Sequence, residues 1–213
     1  MINVLAYADD IVLCAPSWRG LQQLIDLLVI EIANIDMICN VRKTVCMTFL
    51  PRMRDKIISR TFPCFQLDGT PLTFVNDFKY LEHHISCDLS DDLDIRREIR
   101  NMFLRTNILI RKFAKCSMVV KLLLFRTYCL CLYDNALWLN HTAGIMCKLQ
   151  YCYNKCIKLF FGFERRHSVT QMLLELGLPS FATVMHNSKY VFTQSWVSSC
   201  NTIVRHLCSV GIQ

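Results

Sequence analysis

The chain has 213 residues, of which 53% are hydrophobic and 19% are charged. This length and apolar content suffice for a folded core, and they exclude an intrinsically disordered chain. Gly occurs 6 times and Pro 5 times, which excludes collagen-like and linker-rich proteins. The 13 Cys have no repeated paired spacing, so we expect reduced thiols in an intracellular protein rather than a secreted disulfide scaffold.

No targeting or membrane segment is expected. The first ten residues, MINVLAYADD, lack the basic and long apolar regions of a signal peptide. The longest nearly uncharged stretch, 127–147, contains Asp134, whose charge makes a membrane span unfavourable. The sequence distinguishes neither nucleus from cytoplasm nor monomer from oligomer.

The first predicted elements are a hairpin and a helix. Residues 2–7 and 11–15 are short runs rich in β-formers, with Asp9-Asp10 at the tip between them. Ser17 is a helix-capping residue, and apolar residues recur at helical spacing from 21 to 35. We therefore expect a helix that packs on a sheet.

Short strands follow this helix. Residues 44–50 alternate between apolar and polar side chains, which predicts a strand. Asp68-Gly69 predicts a hairpin turn, and Phe78-Lys79-Tyr80-Leu81 predicts another short strand.

The pattern becomes helical near residue 90. Ser90 is the predicted N-cap of a helix whose first turn is acidic and whose apolar stripe runs from Ile95 to Phe113. Further helices are predicted at 118–139, 142–161 and 181–208, and Ser168 with Gln171 forms a capping box for a short helix. The predicted fold class is α+β, with three parts: 1–89 mixed, 90–163 helical, and 164–213 a helical extension.

The charge is distributed unevenly along the chain. Residues 1–98 contain 10 Lys/Arg and 14 Asp/Glu, whereas residues 99–213 contain 14 Lys/Arg and 3 Asp/Glu. A second half with this excess of positive charge fits a polyanion, with nucleic acid as the first candidate. Solvated basic side chains on a helical domain explain the same counts, and both interpretations stay open.

Two adjacent carboxylates at a hairpin tip repel each other unless a cation offsets the charge. Mg²⁺ takes oxygen ligands and leaves room for phosphates, so Asp9 and Asp10 are candidate metal ligands. The alternative is a solvated acidic turn without a ligand.

Several short motifs occur in the order found in reverse transcriptases. Tyr7-Ala8-Asp9-Asp10 resembles the palm hairpin of these enzymes, and Asn40-Val41-Arg42-Lys43-Thr44 resembles the segment after the palm helix. Phe78-Lys79-Tyr80-Leu81 resembles the strand that begins the primer grip. Residues 122–139, 151–154 and 161–181 resemble the C-terminal part of non-LTR (LINE/jockey-like) retrotransposon enzymes. The resemblance is thus to an RNA-directed DNA polymerase of a transposable element, over the late palm, the thumb and a C-terminal extension.

The resemblance implies specific roles in template-directed nucleotidyl transfer. Asp9 and Asp10 would be catalytic ligands of Mg²⁺, and Lys43 would be the general acid for the leaving pyrophosphate. Tyr7 would lie against the nucleotide, and Phe78, Lys79, Tyr80 and Leu81 would support the primer. The alternatives are a solvated loop lysine for Lys43 and an ordinary core strand for 78–81. The implied partners are an RNA template and a DNA primer.

The chain also departs from the family pattern. The family has a further metal-binding Asp on a strand upstream of the hairpin, and this sequence begins six residues before Tyr7. We therefore expect a truncated polymerase that holds Mg²⁺ weakly and is inactive in isolation. Glu82 stands where the family has Gly, which is unfavourable if the turn requires positive φ.

A basic stripe follows in the helix that corresponds to the thumb. The resemblance implies that this helix grips the nucleic-acid backbone, and the alternative is a solvated helix face. The predicted phosphate contacts are Arg96, Arg97, Arg100, Arg105, Arg111, Lys112 and Lys115. Three hypotheses result: a polymerase fragment, a non-catalytic nucleic-acid-binding remnant, and a relic without function.

Overall fold

The computed structural model describes residues 3–50 and 63–209. This part of the chain contains seven α-helices and eight short strands that pair in twos, a mixture of helix and small sheets consistent with the predicted α+β class. The chain divides into two compact units. The first comprises 1–78 with 86–89, and the second comprises 79–85 with 90–213. The predicted division after residues 89 and 163 stays a prediction.

The first unit begins with the predicted hairpin. Strands β1 (Val4–Tyr7) and β2 (Asp10–Leu13) are antiparallel, with Tyr7 opposite Asp10. Helix α1 (Trp18–Ala33) follows, and the Ser17 side chain accepts a hydrogen bond from the Gly20 amide, as the capping prediction requires. The hairpin and the cap are therefore both confirmed.

The core of the first unit is small. Strand β3 (Val45–Cys46) pairs in parallel with β6 (Thr73–Phe74), so only two residues of the predicted strand 44–50 are β-structure. Strands β4 (Gln66–Leu67) and β5 (Thr70–Pro71) flank the predicted Asp68-Gly69 turn. The core consists of Ile25, Cys46, Phe65, Leu67 and Leu72.

A second tight hairpin joins strands β7 (Asp77–Tyr80) and β8 (His83–Ser86). The predicted strand 78–81 is thus displaced by one residue, because the strand begins at Asp77 and Leu81 lies in the turn. Leu81 and Glu82 have φ values of 46° and 68°, in the left-handed region that disfavours residues with a Cβ. The turn therefore does require positive φ at Glu82.

The second unit is helical apart from the hairpin tip 79–85. The serine half of the capping box predicted for α5 forms, because the Ser168 hydroxyl accepts from the Gln171 amide, whereas the Gln171 side chain donates to Glu175 Oε1 at 3.0 Å. Gly177 ends this helix with φ 57°. The helices are α2 (Asp92–Phe113), α3 (Met118–Cys129), α4 (Ala143–Phe161), α5 (Val169–Leu176), α6 (Phe181–Val197) and α7 (Thr202–Ser209).

Two predicted helix extents are wrong, whereas the capping role predicted for Ser90 is confirmed. The Ser90 hydroxyl accepts a hydrogen bond from the Asp92 amide at 3.4 Å, and Asp91, the residue before α2, makes no side-chain cap. The predicted helix 118–139 ends at Cys129, and an irregular segment with a 3₁₀ turn at Asn135–Leu137 follows. The predicted helix 181–208 is interrupted between α6 and α7.

Helices α2 and α4 contribute many of the buried side chains in the core of the second unit. Ile95, Met102 and Thr106 from the predicted α2 stripe are buried. The Tyr153 hydroxyl donates a 2.6 Å hydrogen bond to the Pro179 carbonyl, which ties α4 to the segment after α5. The largest fully buried apolar and aromatic side chains of this unit are Trp138, Tyr153, Phe125, Ile95, Met102, Leu149, Ile157 and Met172. In the described part of the chain, no helix is both long and apolar enough to cross a membrane.

Candidate functional site

The acidic pair lies at the exposed tip of the first hairpin. Asp9 is in the turn with Ala8, whose φ is 51°, and Asp10 is the first residue of β2. Both carboxylates are exposed, and the Tyr7 side chain opposite Asp10 is 63% exposed. Within the described residues neither carboxylate makes an ion pair, so the pair is open to a cation from solvent.

The donors at this tip fit Mg²⁺ in type but are incomplete in number. Carboxylate oxygens are the hard ligands that Mg²⁺ prefers, and Asp9 and Asp10 supply them. Among residues 3–50 and 63–209, no group of three or more His, Cys, Asp and Glu side chains is arranged to hold a metal ion. The pair alone therefore does not make the two-ion centre of a nucleotidyl transferase.

Lys43 lies in a turn after α1 that is organised by Asn40. The Asn40 side-chain oxygen accepts from the Lys43 amide at 3.3 Å, and its carbonyl accepts from the Thr44 amide at 3.1 Å. The Lys43 side chain is exposed and makes no ion pair with Asp9 or Asp10. The structure does not bring the three predicted catalytic residues into contact, and the general-acid role stays a prediction.

The strand predicted to support the primer is not an ordinary core strand. Phe78 is 39% exposed, and Lys79 pairs with Glu82 at 2.7 Å on the surface. Leu81 is 38% exposed, and its carbonyl accepts from the Tyr133 hydroxyl at 3.3 Å. The core-strand alternative is therefore wrong, and the primer-support role of 78–81 stays a prediction.

Arg97 is not available for phosphate. Its Nε donates to Asp94 Oδ1 at 2.7 Å and its Nη2 to Asp94 Oδ2 at 3.2 Å, and the residue is only 8% exposed. Arg105 is partly buried and forms an ion pair with Glu98. Buried carboxylates on the same helix therefore bind both arginines. This contradicts the phosphate contact predicted for Arg97, whereas that of Arg105, whose side chain is 27% exposed, stays a prediction.

Asp94 is the centre of this buried cluster. The carboxylate is fully buried, and it also accepts from Trp138 Nε1 at 2.8 Å and from the His84 amide at 3.0 Å. Burial raises the pKa of Asp94, but the hydrogen bonds from Arg97, the His84 amide and Trp138 outweigh it and lower the pKa below its ordinary value. Asp94 is therefore ionised in the folded chain near neutral pH.

Glu98 differs from Asp94 in the balance of the same effects. Its side chain is fully buried, and Oε2 has no hydrogen-bond partner within the described residues. Burial raises the pKa of Glu98, and the ion pair with Arg105 only partly offsets this rise. Glu98 is thus the less satisfied of the two buried carboxylates.

His83 and His84, for which the sequence suggested no role, join the hairpin tip to α2. His83 Nδ1 lies 3.4 Å from Asp94 Oδ2 and 3.5 Å from Asp134 Oδ2. The sequence contained a signal for this cluster: Asp94 and Glu98 stand one turn apart, in phase with the buried Ile95 and Met102. Acidic residues on an apolar stripe require internal donors, and Arg97 and Arg105 supply them.

The remaining basic residues of the stripe are exposed. Arg96 and Arg100 are four apart on one face of α2, and they make no ion pair within the described residues. Lys115 lies beyond the end of α2 at Phe113. The exposed basic residues of the stripe are Arg96, Arg100, Arg111, Lys112 and Lys115.

The cysteines fit a structural role. Cys129, Cys152 and Cys156 are buried, and the thiols of Cys152 and Cys156 lie 3.9 Å apart in the core. Burial raises the pKa of Cys129 to about 11, which keeps it a neutral thiol. Cys131 and Cys147 are exposed.

Two features can bind charged ligands: the acidic tip of the first unit and the exposed basic residues of α2 in the second unit. The acidic tip offers two unpaired carboxylates to cations, and the α2 residues offer unpaired guanidinium and ammonium groups to anions. No family model, curated protein or solved structure matches the chain.

Proposed function

We propose that the chain is the late palm, thumb and C-terminal extension of a non-LTR retrotransposon reverse transcriptase. The observation that carries this proposal is the exposed Asp9-Asp10 pair at the tip of a tight antiparallel hairpin that leads into α1. The turn at Asn40–Thr44 and the hairpin at 77–86 follow in the order of the family's motifs. The helical unit then corresponds to the thumb and extension.

We expect no polymerase activity from this polypeptide alone. Metal-assisted nucleotidyl transfer uses two ions that clamp the attacking and leaving oxygens, and two ions require more carboxylates than one adjacent pair. The part of the chain described here brings no third ligand to Asp9 and Asp10. The chemistry therefore depends on residues outside this part.

Primer extension tests the catalytic half of the proposal. The 213-residue chain is incubated with Mg²⁺, dNTPs and a DNA primer annealed to an RNA template, and we expect no extension. Extension that Asp9→Asn abolishes would contradict the expected inactivity and make the chain a minimal enzyme.

The full-length transcript tests the lineage. An in-frame upstream region that encodes a further acidic palm strand would support the proposal, because it would supply the ligands that Asp9 and Asp10 lack. A transcript that begins at Met1 would contradict a polymerase role for this polypeptide and leave nucleic-acid binding as its remaining candidate activity.

A second candidate function is nucleic-acid binding without catalysis. The observation that favours it is the separation of the α2 charges: the buried carboxylates Asp94 and Glu98 bind Arg97 and Arg105, and the other basic residues remain exposed. Such residues contact phosphates without reading the base sequence, and their binding weakens steeply with salt.

Salt titration tests this second candidate. Fluorescence anisotropy of a labelled oligonucleotide is measured between about 50 and 200 mM salt, the range over which several phosphate contacts change affinity strongly. We expect the affinity to fall steeply and to be similar for unrelated sequences. An affinity that does not change with salt would refute backbone binding, and aggregation in place of a sharp melt would favour the relic hypothesis.

A further inference from the structure

Helix α4 presents a basic and aromatic face. Between Ala143 and Phe161 it contains no Asp or Glu. Lys148, Tyr151 and Lys155 are spaced at i, i+3 and i+7, which places them on one face of the helix, and all three are exposed. The reverse-transcriptase resemblance places this helix in the thumb, and residues 151–154 belong to one of the matched motifs.

This face of α4 lies beside the exposed arginines of α2. The Cys152 thiol donates to the Ile99 carbonyl at 3.7 Å, and Lys155 Nζ lies 5.6 Å from the centre of the Phe103 ring. The residue that comes later in α4 contacts the residue that comes later in α2, so the two helices run in the same direction. Lys148 is therefore near the level of Arg96, and Tyr151 is near the level of Arg100.

We define the α2–α4 face as Arg96, Arg100 and Phe103 together with Lys148, Tyr151 and Lys155. None of these six residues is acidic. Among the neighbouring acids, Asp94 and Glu98 are fully buried, and the half-buried Asp92, one turn before Arg96, accepts hydrogen bonds from the Thr142 amide and hydroxyl. The face therefore combines four positive charges with two aromatic rings. This composition differs from that of a solvated charged face, where both signs alternate.

Lys155 connects the two rings. Its Nζ lies 5.6 Å from the ring centre of Phe103 and 5.8 Å from that of Tyr151, within the range of cation–π contacts. The contact positions the Tyr151 ring, yet the residue remains 61% exposed. An exposed aromatic ring among cations is the arrangement on which unpaired bases stack in single-strand-binding proteins.

We propose that the α2–α4 face binds single-stranded nucleic acid, with a base stacked on Tyr151 and the phosphates on Arg96, Arg100, Lys148 and Lys155. This inference rests on the nucleic-acid binding proposed above and specifies its ligand as unpaired strand. The bases of a duplex are already stacked on one another, so a duplex would use only the basic residues.

The test compares two single-stranded ligands that differ only in their bases. Anisotropy is measured with labelled dT12 and with an abasic strand of the same length, for the wild-type chain and for Tyr151→Leu. We expect Tyr151→Leu to weaken dT12 binding about 5- to 150-fold, the loss of one stacked base, and to change abasic binding less than twofold. Tyr151→Phe keeps the ring and should retain dT12 affinity.

Tyr128→Leu is the matched control, because Tyr128 is also exposed, at 51%, but lies on α3. It should leave both affinities unchanged. Equal loss on dT12 and on the abasic strand in Tyr151→Leu would refute stacking, since the substitution would then act through the fold. Unchanged dT12 binding in Tyr151→Leu, with the salt dependence retained, would also refute it but leave the proposed function intact. Absence of wild-type binding to either strand at low salt would overturn the proposed nucleic-acid binding itself.

Discussion

Arg97 and Arg100 are three residues apart on α2. We predict that Arg97 contributes to stability and that Arg100 contributes to nucleic-acid binding. Arg97 donates twice to the fully buried Asp94. Removing one partner of a buried ion pair costs about 3–5 kcal/mol, because the other charge is left buried without its partner. Arg100 is exposed without an ion pair among the described residues, and substitutions at such positions change stability by about 0.5 kcal/mol or less.

Substitution of the same two arginines should have the opposite order of effects on nucleic-acid binding, where Arg100→Gln should matter more than Arg97→Gln. Each phosphate contact contributes about 0.7 to the slope of log affinity against log salt for a single strand. Arg100→Gln should therefore reduce this slope by about 0.7, as one lost contact requires. Arg97→Gln should leave the slope unchanged when binding is measured on the folded fraction, because the buried guanidinium of Arg97 does not contact the phosphates of a bound strand.

The stability measurement needs a fluorescence signal that comes from the second unit alone. Trp138 donates to Asp94 and is buried, so urea unfolding followed by its fluorescence reports this cluster once Trp18 and Trp196 are replaced by Phe. If Arg97→Gln fails to fold, the double variant Asp94→Asn/Arg97→Met provides the comparison, since it removes both charges together. We expect this double variant to be more stable than Arg97→Gln.

Two results would refute this reasoning. Equal destabilisation by Arg97→Gln and Arg100→Gln would mean that the buried pair contributes nothing specific to the fold. A smaller salt slope in Arg97→Gln with unchanged stability would mean that Arg97 binds phosphate after all.

Three further predictions concern stability. Glu82→Gly should raise the melting temperature by about 2–4 °C relative to Glu82→Gln, because both lose the Lys79 pair but only Gly relieves the positive φ. Burial raises the pKa of Glu98, so the folded chain retains a proton there that the unfolded chain releases above pH of about 4.3. Stability should thus fall as pH rises from that value through the raised pKa, and Glu98→Gln should remove this slope in urea titrations across pH 4–8. Phe125→Ala should cost about 3–5 kcal/mol in urea unfolding because the ring is fully buried, whereas Leu123→Ala, exposed on the same helix, should cost less than about 0.5 kcal/mol.

Local signals in the sequence predicted local structure well. Ser17 and Ser168 accept hydrogen bonds from amides three residues ahead, an interaction that depends only on neighbouring residues. Asp68-Gly69 forms its turn because both residues tolerate positive φ, at 51° and 70°. These features are determined within a few residues, so the sequence alone suffices to identify them.

Elements that depend on distant contacts were predicted less well. The alternation in 44–50 suits a strand, but only Val45 and Cys46 pair, with β6. The predicted helix 118–139 ends at Cys129, and Trp138 turns inward to donate to Asp94. Neither the strand partner nor the buried acceptor can be inferred from residues nearby. The local sequence pattern therefore predicts both elements to be longer than they are.

The charges of α2 show how a basic stripe divides into structural and surface residues. An acid in phase with the apolar stripe, as at Asp94 and Glu98, is carried into the core and requires a cation within reach on the same helix. Arg97 lies three residues after Asp94, and Arg105 lies seven residues after Glu98. Each arginine binds its carboxylate, which offsets the positive charge that it would otherwise present to solvent. Arg96 and Arg100 lie outside the reach of either carboxylate, so their charge stays on the surface. The positive potential available to a ligand therefore comes from fewer residues than the sequence counts, and two of these residues, Arg96 and Arg100, belong to the α2–α4 face.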